Sequence, residues 1–245
     1  MPLKYLYILV TGVILLAVSC EHPSMPVDTP QTVKTQTKWL ADIHDFSKQK
    51  KIFTKEFDIT RNLISETYYS DRGIINHESR YTYVSDSSSE IKFIYDETGE
   101  IDKTEYFTYK FDVNGKIDRK FEFDNGWNIT KTIDYTYDEL GNLAKAEEFE
   151  NNGHLTNSTS YNYNYNNNGL LVERKVINSN GSMQRRDSLV YKSGQAISRI
   201  IFDSDNRIKN VHEFKYGRYQ RIISEKVTDA NGEIIQRYIF EYSYY

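Results

Sequence analysis

Outside Gly12, every glycine in the chain falls on one ladder, at positions 73, 99, 115, 126, 141, 153, 169, 181, 194, 217 and 232. From 99 to 181 the steps are 16, 11, 15, 12, 16 and 12 residues. Long and short steps alternate, and each pair sums to about 27. Asn206 fills the gap between 194 and 217. A fixed period of this kind marks repeated supersecondary units. The repeats share a turn: Asp96-Glu97-Thr98-Gly99, Asp112-Val113-Asn114-Gly115, Asp138-Glu139-Leu140-Gly141, Asn178-Ser179-Asn180-Gly181 and Asp229-Ala230-Asn231-Gly232. Asp or Asn opens such a turn by bonding its own backbone, and Gly takes the positive-φ position at its end. This is the chemistry of a short hairpin loop, a type I turn followed by a bulge.

Between turns the chain alternates with period two. From 101 to 165 the apolar residues fall on odd numbers, among them Phe107, Tyr109, Ile117, Phe121, Phe123, Ile133, Tyr135, Leu143, Phe149 and Tyr161. The even positions are mostly polar, which is the signature of antiparallel strands with one buried face. The pattern predicts an all-β fold, a long antiparallel meander of about fifteen strands starting near Lys50. A short helix is expected near 39–46. Fifteen strands spaced ~4.8 Å apart would make a flat sheet ~70 Å wide. Each neighbour rotates by roughly 20–25°, so the sheet must form a curled or spiralling shell whose closure the alternation leaves open. After 170, pairs such as Leu171-Val172, Ile200-Ile201 and Ile222-Ile223 put aliphatics on both faces, which implies a second half covered on both sides.

The N-terminus reads differently. Lys4 is the only charge in the first twenty residues, and Tyr5–Val18 is apolar apart from Thr11 and Gly12. A basic start, a short apolar run and small residues before Cys20 make a secretory signal over 1–20. Leu16-Ala17-Val18-Ser19-Cys20 resembles the bacterial lipobox, although Ala17 is less usual than Leu. In the lipobox the thiol accepts diacylglycerol and Cys becomes the first residue of the cut chain. Cys20 is the only cysteine, so no disulfide is expected. Residues 21–38 hold three of the four prolines, at Pro23, Pro26 and Pro30, and read as a flexible tether. The domain is then 39–245. Without Lys4, 30 of the 31 basic side chains oppose 35 acidic ones, a net −5. With no basic stripe, nucleic acid is not an expected partner.

Tyr137-Asp138-Glu139-Leu140-Gly141-Asn142-Leu143 resembles the YD repeat of bacterial RHS-type proteins. Tyr95-Asp96 with Gly99, Phe111-Asp112 with Gly115, and Phe202-Asp203 are degenerate copies. The resemblance spans roughly 60–245. It implies long, spiralling β-hairpin sheets of the kind found in YD-repeat lipoproteins of Bacteroidota-type bacteria. The large members of that family enclose a C-terminal toxin. This chain has a longer period and ends in a strand, Arg237–Tyr245, so the toxin function does not carry over.

No chemistry-bearing constellation stands out. His22, His44, His77, His154 and His212 show no ligand spacing, and no HExxH is present. The Asp-rich turns lack the EF-hand spacing, so no metal or cofactor is expected. GxSxG and the phosphate loop are both missing, and an enzyme is not expected. A membrane barrel is not expected either, because Lys145, Glu147, Arg185 and Asp187 interrupt the faces a lipid would meet. Asp187-Ser188-Leu189 resembles a short Bacteroidota O-glycosylation motif. The expectation is a lipid-anchored, non-catalytic binding or scaffold module of the outer membrane, facing the periplasm or the surface, with an envelope protein as partner. The other reading is a glycan-binding lipoprotein that uses Tyr135, Tyr137, Tyr161, Tyr163 and Tyr165 as stacking platforms. Against it stands a plain core role for the same tyrosines.

Overall fold

The computed structural model describes residues 32–45, 47–84 and 87–245. Sixteen strands follow one another: β1 Val33–Ala41, β2 Gln49–Phe57, β3 Leu63–Tyr69, β4 Ile75–Val84, β5 Ser87–Tyr95, β6 Ile101–Phe111, β7 Ile117–Phe123, β8 Ile129–Tyr137, β9 Leu143–Glu150, β10 Leu155–Tyr165, β11 Leu171–Ile177, β12 Met183–Lys192, β13 Gln195–Phe202, β14 Ile208–Tyr216, β15 Ile222–Thr228 and β16 Ile234–Tyr244. Each pairs antiparallel with its sequence neighbours, and β1 pairs with β16. The sheet is therefore a closed barrel, not an open curl.

The strand that closes the barrel is the one the sequence reading missed. The sequence predicts a tether through residue 38 and a short helix over 39–46, but Val33–Ala41 is β1. In VKTQTKWLA, Gln36, Lys38 and Leu40 alternate with Thr35, Thr37 and Trp39, so polar residues stand on both faces. Lys38 and Gln36 point inward, where partners inside the barrel replace the apolar signal. The signal segment 1–20 and tether residues 21–31 lie outside the described residues.

The turns form as their chemistry requires. At β5–β6 the Gly99 amide donates to the Asp96 carbonyl (3.2 Å) and the Asp96 amide to the Glu100 carbonyl (2.9 Å). Asp96 Oδ1 accepts from the amides of Thr98 (2.8 Å) and Glu100 (3.1 Å). Gly99 has φ +90°, which a side chain would strain. Asn206 takes the same place with φ +61°, as its position on the ladder suggested. At β7–β8, however, Trp127 (φ +62°) occupies the left-handed position, not Gly126. Each of these hairpins carries a register shift beside the turn, such as that between Ile94 and Tyr95.

These turns sort the apolar residues onto two faces. Identical chiral turns at alternate ends of a meander are related by a flip of the sheet, so their flanking pairs face opposite sides. The upper rim holds the turns that follow odd-numbered strands. There the pairs Tyr69–Ile75, Tyr95–Ile101, Phe123–Ile129, Phe149–Leu155, Ile177–Met183 and Phe202–Ile208 point outward as a girdle. At the lower rim, where Thr32 and Tyr245 meet, the pairs Phe57–Leu63, Phe111–Ile117, Tyr137–Leu143, Tyr165–Leu171 and Tyr216–Ile222 point inward. The core lies here: Phe107, Tyr109 and Ile117 are buried, with Phe111 and Tyr135 packed on them. The odd-numbered apolar residues thus do not share one face. Phe121 and Phe123 pair with outward Thr108 and Tyr106, while Phe107 and Tyr109 pair inward with Glu122 and Lys120. Among the described residues no second layer covers the C-terminal half. Ile201 is buried inside the barrel, while the exposed Ile223 belongs to the outer wall.

Candidate functional site: the barrel lumen

Tyr135, Tyr137, Tyr161, Tyr163 and Tyr165 all point into the lumen, from β8 and β10. They are not equivalent. The Tyr137 hydroxyl donates to the Ile117 carbonyl (2.7 Å) and the Tyr163 hydroxyl to the Leu143 carbonyl (2.9 Å). The Tyr165 hydroxyl accepts from Asn142 Nδ2 at 2.6 Å. The same tie, with the tyrosine 20 residues after the carbonyl, recurs at Tyr83, Tyr216 and Tyr242. These tyrosines pin the lower ends of neighbouring strands. Burial pushes the hydroxyls of Tyr137 and Tyr163 up to about 12. Tyr135 and Tyr161 have no such tie among the described residues and leave their hydroxyls to the lumen.

Around the tyrosines runs a belt of inward charges, of which the sequence reading named Arg185, Asp187 and His212 but none as part of a site. On one side Glu66 accepts from Lys55 (2.7 Å), Tyr68 (2.9 Å) and Tyr81 (2.9 Å). Glu90 accepts from Ser79 (2.6 Å) and from Tyr109. Burial, reinforced by these carboxylates, pushes the Tyr81 and Tyr109 hydroxyls far above the ordinary tyrosine range. On the other side Asp187, 1% exposed, holds Arg174 (2.5 Å) and Arg185 (2.7 Å). Glu225 holds Lys38 (3.0 Å) and His212 (2.5 Å). Burial alone would raise the Glu225 carboxyl, but His212 and Lys38 outweigh it and hold it at about 2. Burial lowers the Lys38 ammonium despite Glu225. Lys38 also lies 3.6 Å from the centre of the Tyr238 ring, which favours a cation. The signal for this belt was charge on the inward parity, and it is legible only once the flip at each turn is known.

The outer wall is charged as well, in a different way. Arg119–Asp134, Lys145–Glu147 and Arg186–Glu173 pair across outward positions. Lys145 and Glu147 thus face out, whereas Arg185 and Asp187 face in. Ser188 is outward and half-buried, next to Glu173 and Ile200. Cys20 lies outside the described residues. Among the described residues no group of three His, Cys, Asp or Glu side chains gathers as a metal site would require.

No family model and no curated protein matches this chain. Among solved structures it is similar to a porin-like protein from Bacteroides uniformis, with TM-score 0.55 and 10% identity over 88% of this chain and 99% of that one. A second porin-like protein, from Bacteroides vulgatus, aligns over 87% of this chain and 99% of that one with 13% identity and TM-score 0.38. The first likeness shows the fold alone: a closed, antiparallel β-barrel. It also corrects the YD-repeat resemblance. Tyr-Asp-x-x-Gly here is hairpin chemistry, with Asp138 Oδ1 capping the Asn142 amide at 2.7 Å and Gly141 at φ +86°. Any meander built on this turn repeats those letters, so the motif marks the hairpin and not a family.

Proposed function

We propose that this protein is a non-catalytic binding barrel of the bacterial envelope, tethered through a lipid on Cys20, whose lumen is its working face. The observation that carries the reading is the sidedness of the wall. A membrane-spanning barrel needs an outward apolar band ~25 Å tall, and each Arg or Lys at its midplane costs about 2–4 kcal/mol. Here the continuous outward apolar girdle stands at the upper rim, and lower down scattered outward apolar residues such as Ile91 and Val190 are interspersed with charge. Below the girdle stand Arg119, Asp134, Lys145, Glu147, Glu173 and Arg186. The barrel therefore sits beside the bilayer. The inner face of the closed sheet instead gathers half-buried tyrosines and ion pairs, the side on which a barrel of this kind holds a ligand.

Protease shaving and fractionation of intact cells test the reading, with Cys20→Ala as control. The native chain is expected in the membrane fraction, and the variant is expected to be released without detergent. A variant that stays in the membrane would show that the wall, not the lipid, holds the protein there.

A second reading, glycan binding, draws on Tyr135 and Tyr161, whose rings line the lumen and whose hydroxyls are not tied to the wall. It predicts that a bound oligosaccharide quenches tyrosine fluorescence and that Tyr161→Ala removes the effect. Silence across a broad glycan array would count against it.

A further inference from the structure

We propose that Arg199 anchors an oxyanion-binding site on the lumen wall, which takes a carboxylate or sulfate group. The inference rests on the reading of the lumen as the working face. Arg199 stands on β13 between inward Leu189 and His212 and is 8% exposed. Its Nε is buried with no hydrogen-bond partner, and none of its nitrogens bonds to another described residue. Buried charges are ordinarily paired, because burying one alone is costly.

The neighbouring carboxylates cannot serve it. Asp187 Oδ2 accepts from Arg174 (3.1 and 2.5 Å) and from Arg185 (3.1 Å), and Oδ1 accepts from Arg185 (2.7 Å). Glu225 Oε2 accepts from Lys38 and Oε1 meets His212. Both carboxylates already hold two partners, and Arg199 lies between them, close enough to feel both charges. Arg174, Arg185, Arg199 and Lys38 thus face Asp187 and Glu225, four cations against two carboxylates. A guanidinium offers a planar fork that fits a carboxylate or sulfate with two parallel bonds. Tyr163, which pairs with Arg174, lies three strands from Arg199 at ~4.8 Å each, so an oligosaccharide of a few units held at Arg199 would reach the tyrosine wall. An acidic saccharide and a free inorganic anion both supply the oxyanion.

The test uses the full chain in detergent. Melting is followed in sodium sulfate and in sodium chloride at matched ionic strength, for the native chain, Arg199→Met and Arg199→Lys. Calorimetry then compares an oligogalacturonate with its neutral methyl ester. The native chain is expected to melt higher in sulfate than in chloride, and Arg199→Met to lose that difference while melting no lower than native in chloride. The oligogalacturonate is expected to bind the native chain and to weaken roughly tenfold or more in Arg199→Met, with Arg199→Lys intermediate. Sulfate binding without oligogalacturonate binding would support the site and assign it to a free ion. Equal binding of acid and ester would overturn the oxyanion site but leave the lumen as a binding face. No response to sulfate or oligogalacturonate, or full retention in Arg199→Met, would overturn the inference. If Arg199→Met fails to fold, Arg199→Lys alone decides by whether the fork is needed.

Discussion

At the scale of single residues, the inner wall depends on two carboxylates that each hold two cations. Removing one partner of a buried ion pair leaves an uncompensated charge and costs about 3–5 kcal/mol. Asp187→Ala should therefore destabilise the barrel by that order, because Arg174 and Arg185 lose their shared partner and Arg199 loses its nearest screen. Urea denaturation followed by circular dichroism measures it. Glu225 makes a prediction about pH. Its folded pKa, about 2, lies below the ordinary 4.5. A depressed carboxyl contributes stability above its unfolded pKa and loses it as pH falls through the folded one. The native midpoint should drop between pH 4.5 and 2. Glu225→Gln should be less stable at pH 7, where Lys38 stands unpaired, and flatter across that window. An unchanged acid profile in Glu225→Gln would remove the pair from the account.

At the scale of the element, the hairpin turn is the unit the chain repeats. Gly115 has φ +77° and open space around it, so Gly115→Ala meets backbone strain alone and should cost about 1 kcal/mol. A Cβ at Gly141 also meets the Lys116 ammonium, a flexible end that can move, so Gly141→Ala should cost little more. Equal midpoints for both variants and the native chain would show that these turns do not require the left-handed conformation. The turns were the most legible part of the sequence, since Asp or Asn, two spacers and Gly have one physical use together. Their effect on facing was not legible. Phe123 and Tyr135 are both odd-numbered, yet one lies outside and the other inside, because the extra residue beside each turn shifts the register. That flip is why Tyr135, Tyr137, Tyr161, Tyr163 and Tyr165 could be selected from their spacing while Arg174, Asp187 and Arg199 could not.

At the scale of the whole molecule, closure turns a repetitive sheet into a lumen. Strand count and antiparallel order followed from the turns, with sixteen strands in place of about fifteen. Closure itself could not be read from local pattern, because β1 carries Lys38 and Gln36 on its inner face and its main partner lies at the far end of the chain. Removing β1 by starting the folded chain at residue 42 should expose the edges of β2 and β16. Open edges pair with one another between molecules. The shortened protein should run as dimers and larger species in size-exclusion chromatography, and a monomer of native secondary structure would contradict the seam.

The seam also orders events in time. Val33 pairs with Tyr244, so the first described strand to be synthesised must wait for the last. Until then every partial sheet carries two free edges in a crowded compartment, and no local rearrangement can hide them. A barrel stitched between its two ends is protected only when the last strand has joined the first. The growing sheet therefore needs shielding until β16 is in place, and a chain that stalls earlier offers its open edges for aggregation.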